Sequence, residues 1–259
     1  MTLERTERDD IVELRLNTPE KLNALSDAML AALQTALDDI GASDARAVIL
    51  SAEGKAFCAG HDLKEMQAGR QAEDGGAAYF ADLFARCATL MQTIQAIPQP
   101  VIARVQGIAT AAGCQLVATC DMAVAADGVR FGVNGVNIGL FCSTPMVALT
   151  RAIPRKAAFE MLTTGKFIDT TEALRLGLIN RAVPADQLET ATRDLAETVA
   201  AKLSTAIRIG KRAFYDQAQM STAEAYAYTS EVMVRNMLEA ETDEGITAFL
   251  EKRPPSWHR

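Results

Sequence analysis

The sequence predicts an α/β protein whose last third is helical. Through the first two-thirds, short apolar segments typical of strands alternate with longer segments of helical periodicity. From about residue 185 to 250 the pattern is helical and amphipathic, with Gly210 as its one glycine before Gly245. The length of 259 residues fits one large domain, or one domain with a small appendage.

The first elements follow from local patterns. Residues 11–16 alternate between apolar and polar side chains, which is typical of a strand. Ser26 precedes a segment with apolar residues at helical spacing, so it predicts the N-cap of a helix that ends at Gly41. The apolar segment 47–50 predicts a buried strand, and the small residues of 51–60 predict a loop.

The middle of the chain predicts one long helix and a second corner of small residues. The long helix covers 77–96 and is stopped by Pro98. A helix-compatible segment covers 110–119, and helices dominate beyond residue 143. Further strands are predicted at residues 101–105, 122–126 and 179–183.

Composition excludes several classes of protein. Hydrophobic residues make up 49% of the chain and charged residues 23%, which suits a globular protein with a substantial core and not a disordered chain. The net charge of −7 disfavours a nucleic-acid partner, because binding phosphates needs a basic face. The sequence contains no run of about 18 apolar residues, so no membrane span is predicted. We therefore expect neither a nucleic-acid nor a membrane partner.

The cysteines and the N-terminus bear on location. The five cysteines are odd in number and contain no C-x-x-C pair, so neither a disulfide framework nor a zinc site is expected. The first ten residues are acidic and polar, unlike a signal or transit peptide. Both observations favour the cytoplasm.

Common catalytic motifs are missing. The sequence has no G-x-S-x-G, Walker loop, H-E-x-x-H or G-x-G-x-x-G. Its two histidines are His61 and His258, so a hydrolytic triad could form only around His61, where no nucleophile elbow is found. A hydrolase is disfavoured, and His61 is more simply a loop residue beside a binding site.

Two corners of small residues suggest chemistry by the main chain. Residues 55–63 and 106–115 each follow a strand and lead into a helix. Small side chains at such corners let a ligand carbonyl approach the free N–H groups of a helix start. Two converging corners would form an oxyanion hole from backbone donors alone. The alternative is that alanine and glycine merely allow close packing there.

Motifs along most of the chain resemble those of the crotonase (enoyl-CoA hydratase/isomerase) superfamily. They comprise an N-A-L segment, an F-x-A-G-x-D loop, a small-residue helix start, a T-G…E-A…G-L segment and an E-G-x-x-A-F-x-E-K-R segment, at residues 21–25, 57–66, 107–121, 164–184 and 244–253. The resemblance implies a spiral of β-β-α turns over 1–200. It also implies a helical oligomerisation region over 201–259, which packs homotrimers or hexamers built as dimers of trimers.

The same resemblance implies an acyl-CoA or enoyl-CoA thioester as ligand, with no separate cofactor and no metal, because coenzyme A is part of the substrate. It assigns the oxyanion hole to the N–H groups of His61 and Ala112. It also implies that two groups of residues bind CoA. One group lies near the first corner and comprises Lys21, Leu22, Ala24, Ala59, Gly60, His61, Asp62 and Leu63. The other, Phe249 and Lys252, reaches the CoA of a neighbouring subunit.

The sequence departs from a hydratase at both catalytic positions. Where hydratases of this family carry two glutamates, this chain has Gln115 and Gly135. Glutamine does not exchange a proton near neutral pH, and glycine has no side chain to do so. Since each acid–base group contributes about 10²–10⁴ in rate, hydration is expected to be weak. Asp62 and Asp121 are expected to cap helices or bind backbone, and Cys142 to be a small buried residue.

Four functions remain open. Residues 136–145 and 151–156 resemble a branch of the superfamily called enoyl-CoA hydratase domain-containing protein 3, which favours a weak or unusual hydratase/isomerase. The histidine at position 61 resembles that of methylmalonyl-CoA decarboxylases, which also lack both glutamates. A non-catalytic acyl-CoA binder and a structural protein without a ligand are the other two.

Overall fold

The computed structural model describes residues 1–257, which form ten strands (β1–β10) and eleven α-helices (α1–α11), numbered in chain order. The strands are Leu3–Arg8, Ile11–Leu16, Ala47–Ala52, Ala56–Cys58, Val101–Val105, Ile108–Thr110, Met122–Ala126, Arg130–Gly132, Ile168–Asp169 and Arg181–Val183. The helices are Asp27–Gly41, Leu63–Gly69, Ala77–Ala96, Ala112–Thr119, Ser143–Ala152, Arg155–Thr164, Thr170–Leu176, Leu188–Ala200, Ser204–Gln217, Thr222–Met237 and Ala240–Leu250. Short 3₁₀ turns cover Pro19–Lys21, Asn134–Ile138 and Ala185–Gln187.

The strands form two sheets between which the chain passes repeatedly. The larger has the order β1-β2-β3-β5-β7-β10, with β1 antiparallel and the other pairs parallel. The smaller has the order β4-β6-β8-β9, in which the first three strands are parallel and β9 is antiparallel. Consecutive strands such as β3 and β4, then β5 and β6, go one to each sheet before a helix follows. This is the expected spiral of β-β-α turns.

The core lies against the larger sheet. All six residues of β3 are buried, which is typical of a parallel strand covered on both faces. Apolar side chains of α1, α3 and α4 meet those of β2, β3 and β5 in one cluster, which includes Leu33, Leu37, Leu90, Ile94 and Leu116. Helix α8 packs along β2, β3, β5 and β7. The sheet therefore supplies a rigid base for the loops that follow its strands.

Several predicted elements have the bounds that the structure shows, and others differ. The long helix over 77–96 and the strands over 101–105 and 122–126 are confirmed as α3, β5 and β7. The predicted loop over 51–60 was wrong in part, because it contains the strand β4. Residues 108–110 form β6, and the helix begins at Ala112 and not at residue 110. Strands of three small residues are too short to show a periodicity.

The C-terminal helices are tied to the body through one buried cation. Lys211 of α9 donates from Nζ to the carbonyls of Ile94 and Gln99 and to Oδ2 of Asp121, at 2.8, 2.8 and 2.7 Å. Tyr215 donates to the other carboxylate oxygen of Asp121 at 2.8 Å. The Asp121 carboxylate also accepts from the N–H of Val101, so the expected role of Asp121 in binding backbone is confirmed.

Much of the surface of α9 to α11 is apolar. Large side chains are exposed there, namely Phe214, Tyr226, Met233, Val234, Met237, Leu238, Phe249 and Leu250. The predicted division at residue 200 falls just before α9, which begins at Ser204. That this region joins subunits stays a prediction at this point.

Within residues 1–257, no helix combines the length and apolarity needed to cross a membrane. The same part of the chain contains no group of three histidine, cysteine or acidic residues arranged to hold a metal ion. His258 lies outside the described residues.

Candidate active site

The first corner joins β4 to α2 through residues 59–62. Gly60 has a φ of +92°, and a Cβ atom there would lie 2.9 Å from Cβ of Ala111, so the turn requires glycine. Asp62 is the N-cap of α2 and accepts from the N–H groups of Lys64 and Glu65, which confirms its expected capping role. Leu63 begins the helix with its side chain 55% exposed.

The second corner joins β6 to α4. Ala111 has φ +50° and ψ −120°, a conformation that L-residues rarely adopt. Its N–H donates to the carbonyl of Gly132, and Ala112 is the first residue of the helix. A Cβ atom on Gly113 would overlap the carbonyl of Cys58, so glycine at this position lets α4 approach β4.

The two corners meet because β4 and β6 are parallel neighbours. Ala56 pairs with Ile108, and Cys58 pairs with Ala109. A Cβ atom on Gly60 would lie 3.4 Å from the amide nitrogen of Ala112. Neither the N–H of His61 nor that of Ala112 donates to another group of residues 1–257. The structure thus places two backbone donors without a backbone acceptor at neighbouring corners, and an oxyanion hole requires two such donors.

Strain at Ala111 leads to a stability prediction. Because glycine adopts this φ without a steric penalty, Ala111→Gly is expected to raise the free energy of unfolding by about 1 kcal/mol, despite the entropy cost of glycine. Ala118→Gly, inside the same helix, is the matched control and should lower it by about 1 kcal/mol. Urea unfolding measures both. A loss of stability in Ala111→Gly would contradict the strain.

Three of the predicted CoA residues, Lys21, Leu22 and Ala24, lie beside the first corner. The N–H of Ala59 donates to the carbonyl of Leu22 at 3.1 Å, and the N–H of Leu25 donates to that of Gly60 at 2.8 Å. Nζ of Lys21 lies 3.8 Å from Oδ2 of Asp62. Ala24 is buried, whereas Leu22 is partly exposed, with a φ of +53°.

Asn23 holds this segment in place and was not singled out from the sequence. Its side chain is fully buried, donates from Nδ2 to the carbonyls of Glu53 and Ala56, and accepts from the N–H of Thr18 at Oδ1. Like Leu22, it has a φ of +53°, which asparagine tolerates better than most residues. A buried asparagine with three backbone partners cannot be recognised before the loops it joins are known.

The His61 side chain is neutral at pH 7. Its pKa is lowered to about 4, mainly by burial and also by the nearby Arg86 guanidinium, whereas Asp27 opposes both effects. The ring packs edge-on against Phe84 of α3 at 5.7 Å between centroids. Its Nε2 atom is buried and has no hydrogen-bond partner within residues 1–257.

Arg86 is itself held by two carboxylates. It donates from Nη2 to Asp27 at 2.5 Å and from Nε to Asp82 at 2.6 Å. This pairing fixes the cation near His61 and helps to keep the imidazole unprotonated.

The two positions without glutamate differ in their surroundings. Gln115 is only 4% exposed, and its Oε1 atom has no donor among the described residues. At Gly135 a Cβ atom would overlap the carbonyl of Leu140 and lie 2.8 Å from Sγ of Cys142. Cys142 is buried, as expected from the sequence. Neither position carries a carboxylate, so the site has backbone donors without the usual acid–base groups.

Phe249 and Lys252 lie away from both corners in the chain. Phe249 is 82% exposed and lines a groove with Leu203, Ala206 and Trp257. Lys252 follows α11 with a φ of +55°. Their predicted contact is with a neighbouring subunit, and it stays a prediction.

Comparison with known proteins shows the family to which the chain belongs. The sequence profile described as Enoyl-CoA hydratase/isomerase matches residues 6–259. The chain belongs to this family. Human "Enoyl-CoA hydratase domain-containing protein 3, mitochondrial" is 48% identical to this member over 250 residues, covering 96% of this chain and 81% of the human protein.

Solved structures of the enoyl-CoA hydratase/isomerase family share the fold. An enoyl-CoA hydratase of Mycobacterium smegmatis is 49% identical, with a TM-score of 0.96 over all of both chains. Human enoyl-CoA hydratase domain-containing protein 3 is 46% identical, with a TM-score of 0.94 over 99% of this chain and 100% of that one. The crotonase fold predicted from sequence motifs is therefore confirmed.

Proposed function

We propose that this family member binds an acyl-CoA or enoyl-CoA thioester with the carbonyl oxygen between the N–H groups of His61 and Ala112. We further propose that it hydrates enoyl thioesters far more slowly than relatives with two glutamates. One observation carries both statements. Two amides without a backbone acceptor lie at the neighbouring corners that follow β4 and β6, whereas Gln115 and Gly135 supply no carboxylate.

The CoA portion would lie along the first corner. Ala59, Gly60, His61, Asp62 and Leu63 offer backbone and apolar surface, and the neighbouring segment adds Lys21, Leu22 and Ala24. The Lys21 side chain is 55% exposed and its Nζ lies 3.8 Å from Oδ2 of Asp62, so the ammonium could also bind an anionic phosphate of CoA.

A second copy of the chain would complete the site. The exposed apolar side chains of α9 to α11 support a partner at this surface, as a homotrimer or a hexamer of two trimers would provide. In that assembly Phe249 and Lys252 would reach the CoA of a neighbour. We propose the cytoplasm as location, which the five free thiols support.

Hydration of crotonyl-CoA tests the proposal. Because two acid–base groups are replaced, turnover is expected to fall at least 10²-fold below the ~10 s⁻¹ of a typical enzyme. The assay follows loss of enoyl absorbance, while a CoA-dependent rise in melting temperature confirms binding. Turnover of ~10 s⁻¹ or above would contradict the weak-hydratase proposal. Binding without turnover on any thioester would identify a non-catalytic binder, and no thermal shift would identify a protein without this ligand.

Decarboxylation of a malonyl-type CoA is the second candidate, favoured by the buried and unpartnered Nε2 of His61. Breaking the carbon–carboxylate bond leaves its electron pair on the thioester as an enolate, which the two amides would stabilise, and solvent then protonates the α-carbon. No general base is required for the first step. Release of CO₂ from methylmalonyl-CoA that is lost in His61→Ala would establish this activity, and absence of release from the wild type would remove it.

A further inference from the structure

The turn 135–142 closes over the position of the second glutamate. The carbonyl of Leu140 and Sγ of Cys142 occupy the space into which a side chain at Gly135 would extend. The N–H of Leu140 donates to the carbonyl of Gly135 at 2.9 Å, which holds the two ends of the turn together. The loss of this glutamate is therefore accompanied by a turn that leaves it no room.

The turn is braced on both sides. Oγ1 of Thr110, the last residue of β6, donates to Oδ1 of Asn134 at 2.5 Å. On the other side the Asn137 side chain lies against Gly165, where a Cβ atom would come within 2.7 Å of Oδ1. These contacts link the turn to β6 and to the end of α6, so it is a fixed part of the site.

Gln115 supplies an independent observation at the other glutamate position. Its carboxamide is buried in α4, and its Oε1 has no donor within residues 1–257. A buried acceptor left unpaired is unfavourable, so it points to a ligand group that approaches this end of the site. The preceding residue, Cys114, is close enough to Cys142 that the Cys142 thiol contributes to raising its pKa, although burial is the main cause.

We propose that Cys142, together with the carbonyl of Leu140, forms the wall of the acyl pocket where hydratases hold water, and that Cys142 determines which acyl groups fit. This rests on the proposed function, which places the acyl group at this end of the site. Burial raises the pKa of the Cys142 thiol, so the wall is uncharged at pH 7. A neutral thiol favours contact with acyl carbon over a reactive water.

The experiment compares the binding of CoA, butyryl-CoA and isovaleryl-CoA by wild type and Cys142→Gly, using calorimetry. Removing the thiol makes room for the extra methyl group of isovaleryl-CoA. Its affinity relative to butyryl-CoA is expected to rise about three- to fivefold, the value of one buried carbon. The affinity for CoA alone is expected to stay unchanged. Cys142→Ala is the second variant, in case glycine impairs folding, and should give a smaller shift of the same sign.

Cys120→Ala is the matched control, because Cys120 is equally buried but lies at the far end of α4. It should leave the ratio of the two affinities unchanged. If the ratio stays constant in both Cys142 variants while CoA still binds, the proposed role of Cys142 in the wall of the acyl pocket is overturned and the proposed function is left intact. Failure of the wild type to bind CoA at all would overturn both the proposed function and the proposed role of Cys142.

Discussion

Ala112→Pro is expected to weaken the polarisation of a bound thioester carbonyl. Ala112 is the first residue of α4, where the helix itself makes no use of the N–H and proline is tolerated. The substitution removes one of the two proposed donors, and circular dichroism checks that the variant folds, because Ala112 is 1% exposed and follows Ala111 with its φ of +50°. Infrared spectra of an acyl-CoA labelled with ¹³C at the carbonyl should show a lowered stretching frequency in the wild type and a smaller lowering in the variant.

Any turnover found with a thioester should fall about 10²–10³-fold in the same variant, as in other enzymes that lose one oxyanion donor. Ala240→Pro is the matched control, because Ala240 is the exposed first residue of α11 and follows an extended Glu239. It should leave the frequency and the turnover unchanged. A carbonyl shift of undiminished size in a folded Ala112→Pro protein would show that the Ala112 amide does not bind the carbonyl.

The two corners could be predicted from the sequence because each combines a strand, small residues and a helix start. Their convergence could not, because it depends on β4 and β6, two strands of three residues each. The glycines illustrate the difference. Gly60 and Gly113 are visible in the motifs, but the atoms that they avoid, in Ala111 and Cys58, become known only when the smaller sheet forms.

The missing carboxylates show a similar limit. The sequence alone shows that positions 115 and 135 lack glutamate, which is enough to predict weak hydration. It does not show that Leu140 and Cys142 close the space at Gly135, because that depends on the path of the whole turn. A glutamate at position 135 would therefore meet a steric obstacle, whereas Gln115→Glu replaces a side chain of nearly the same size.

The link between the C-terminal helices and the body could not be predicted from the sequence either. Lys211 and Asp121 are 90 residues apart and lie in elements that carry no shared motif. In a helix with many charged residues, nothing distinguishes Lys211 from its exposed neighbour Arg212. Only the packing of α9 on α3 and on the strand that begins at Val101 buries one of the two.

Lys211→Met is expected to lower the free energy of unfolding by about 3–5 kcal/mol, the usual cost of breaking a buried ion pair. The side chains of Lys211 and Asp121 are 6% and 13% exposed, so the carboxylate would keep Tyr215 and the Val101 N–H but lose its cation. Burial lowers the pKa of Lys211, whereas the adjacent carboxylate opposes that change. The contact with the Asp121 carboxylate therefore favours the charged form of Lys211, which burial alone would disfavour.

Urea unfolding at a fixed protein concentration measures the effect, since assembly would add to stability. The matched control is Arg212→Met, which removes an exposed pair with Asp216 and should cost less than about 1 kcal/mol. In the double variant Asp121→Asn with Lys211→Met, no buried charge is left without a partner. Its loss of stability should therefore be smaller than the sum of the two single losses by about 1–3 kcal/mol. Simple additivity would mean that the two groups contribute independently and that their contact does not anchor α9.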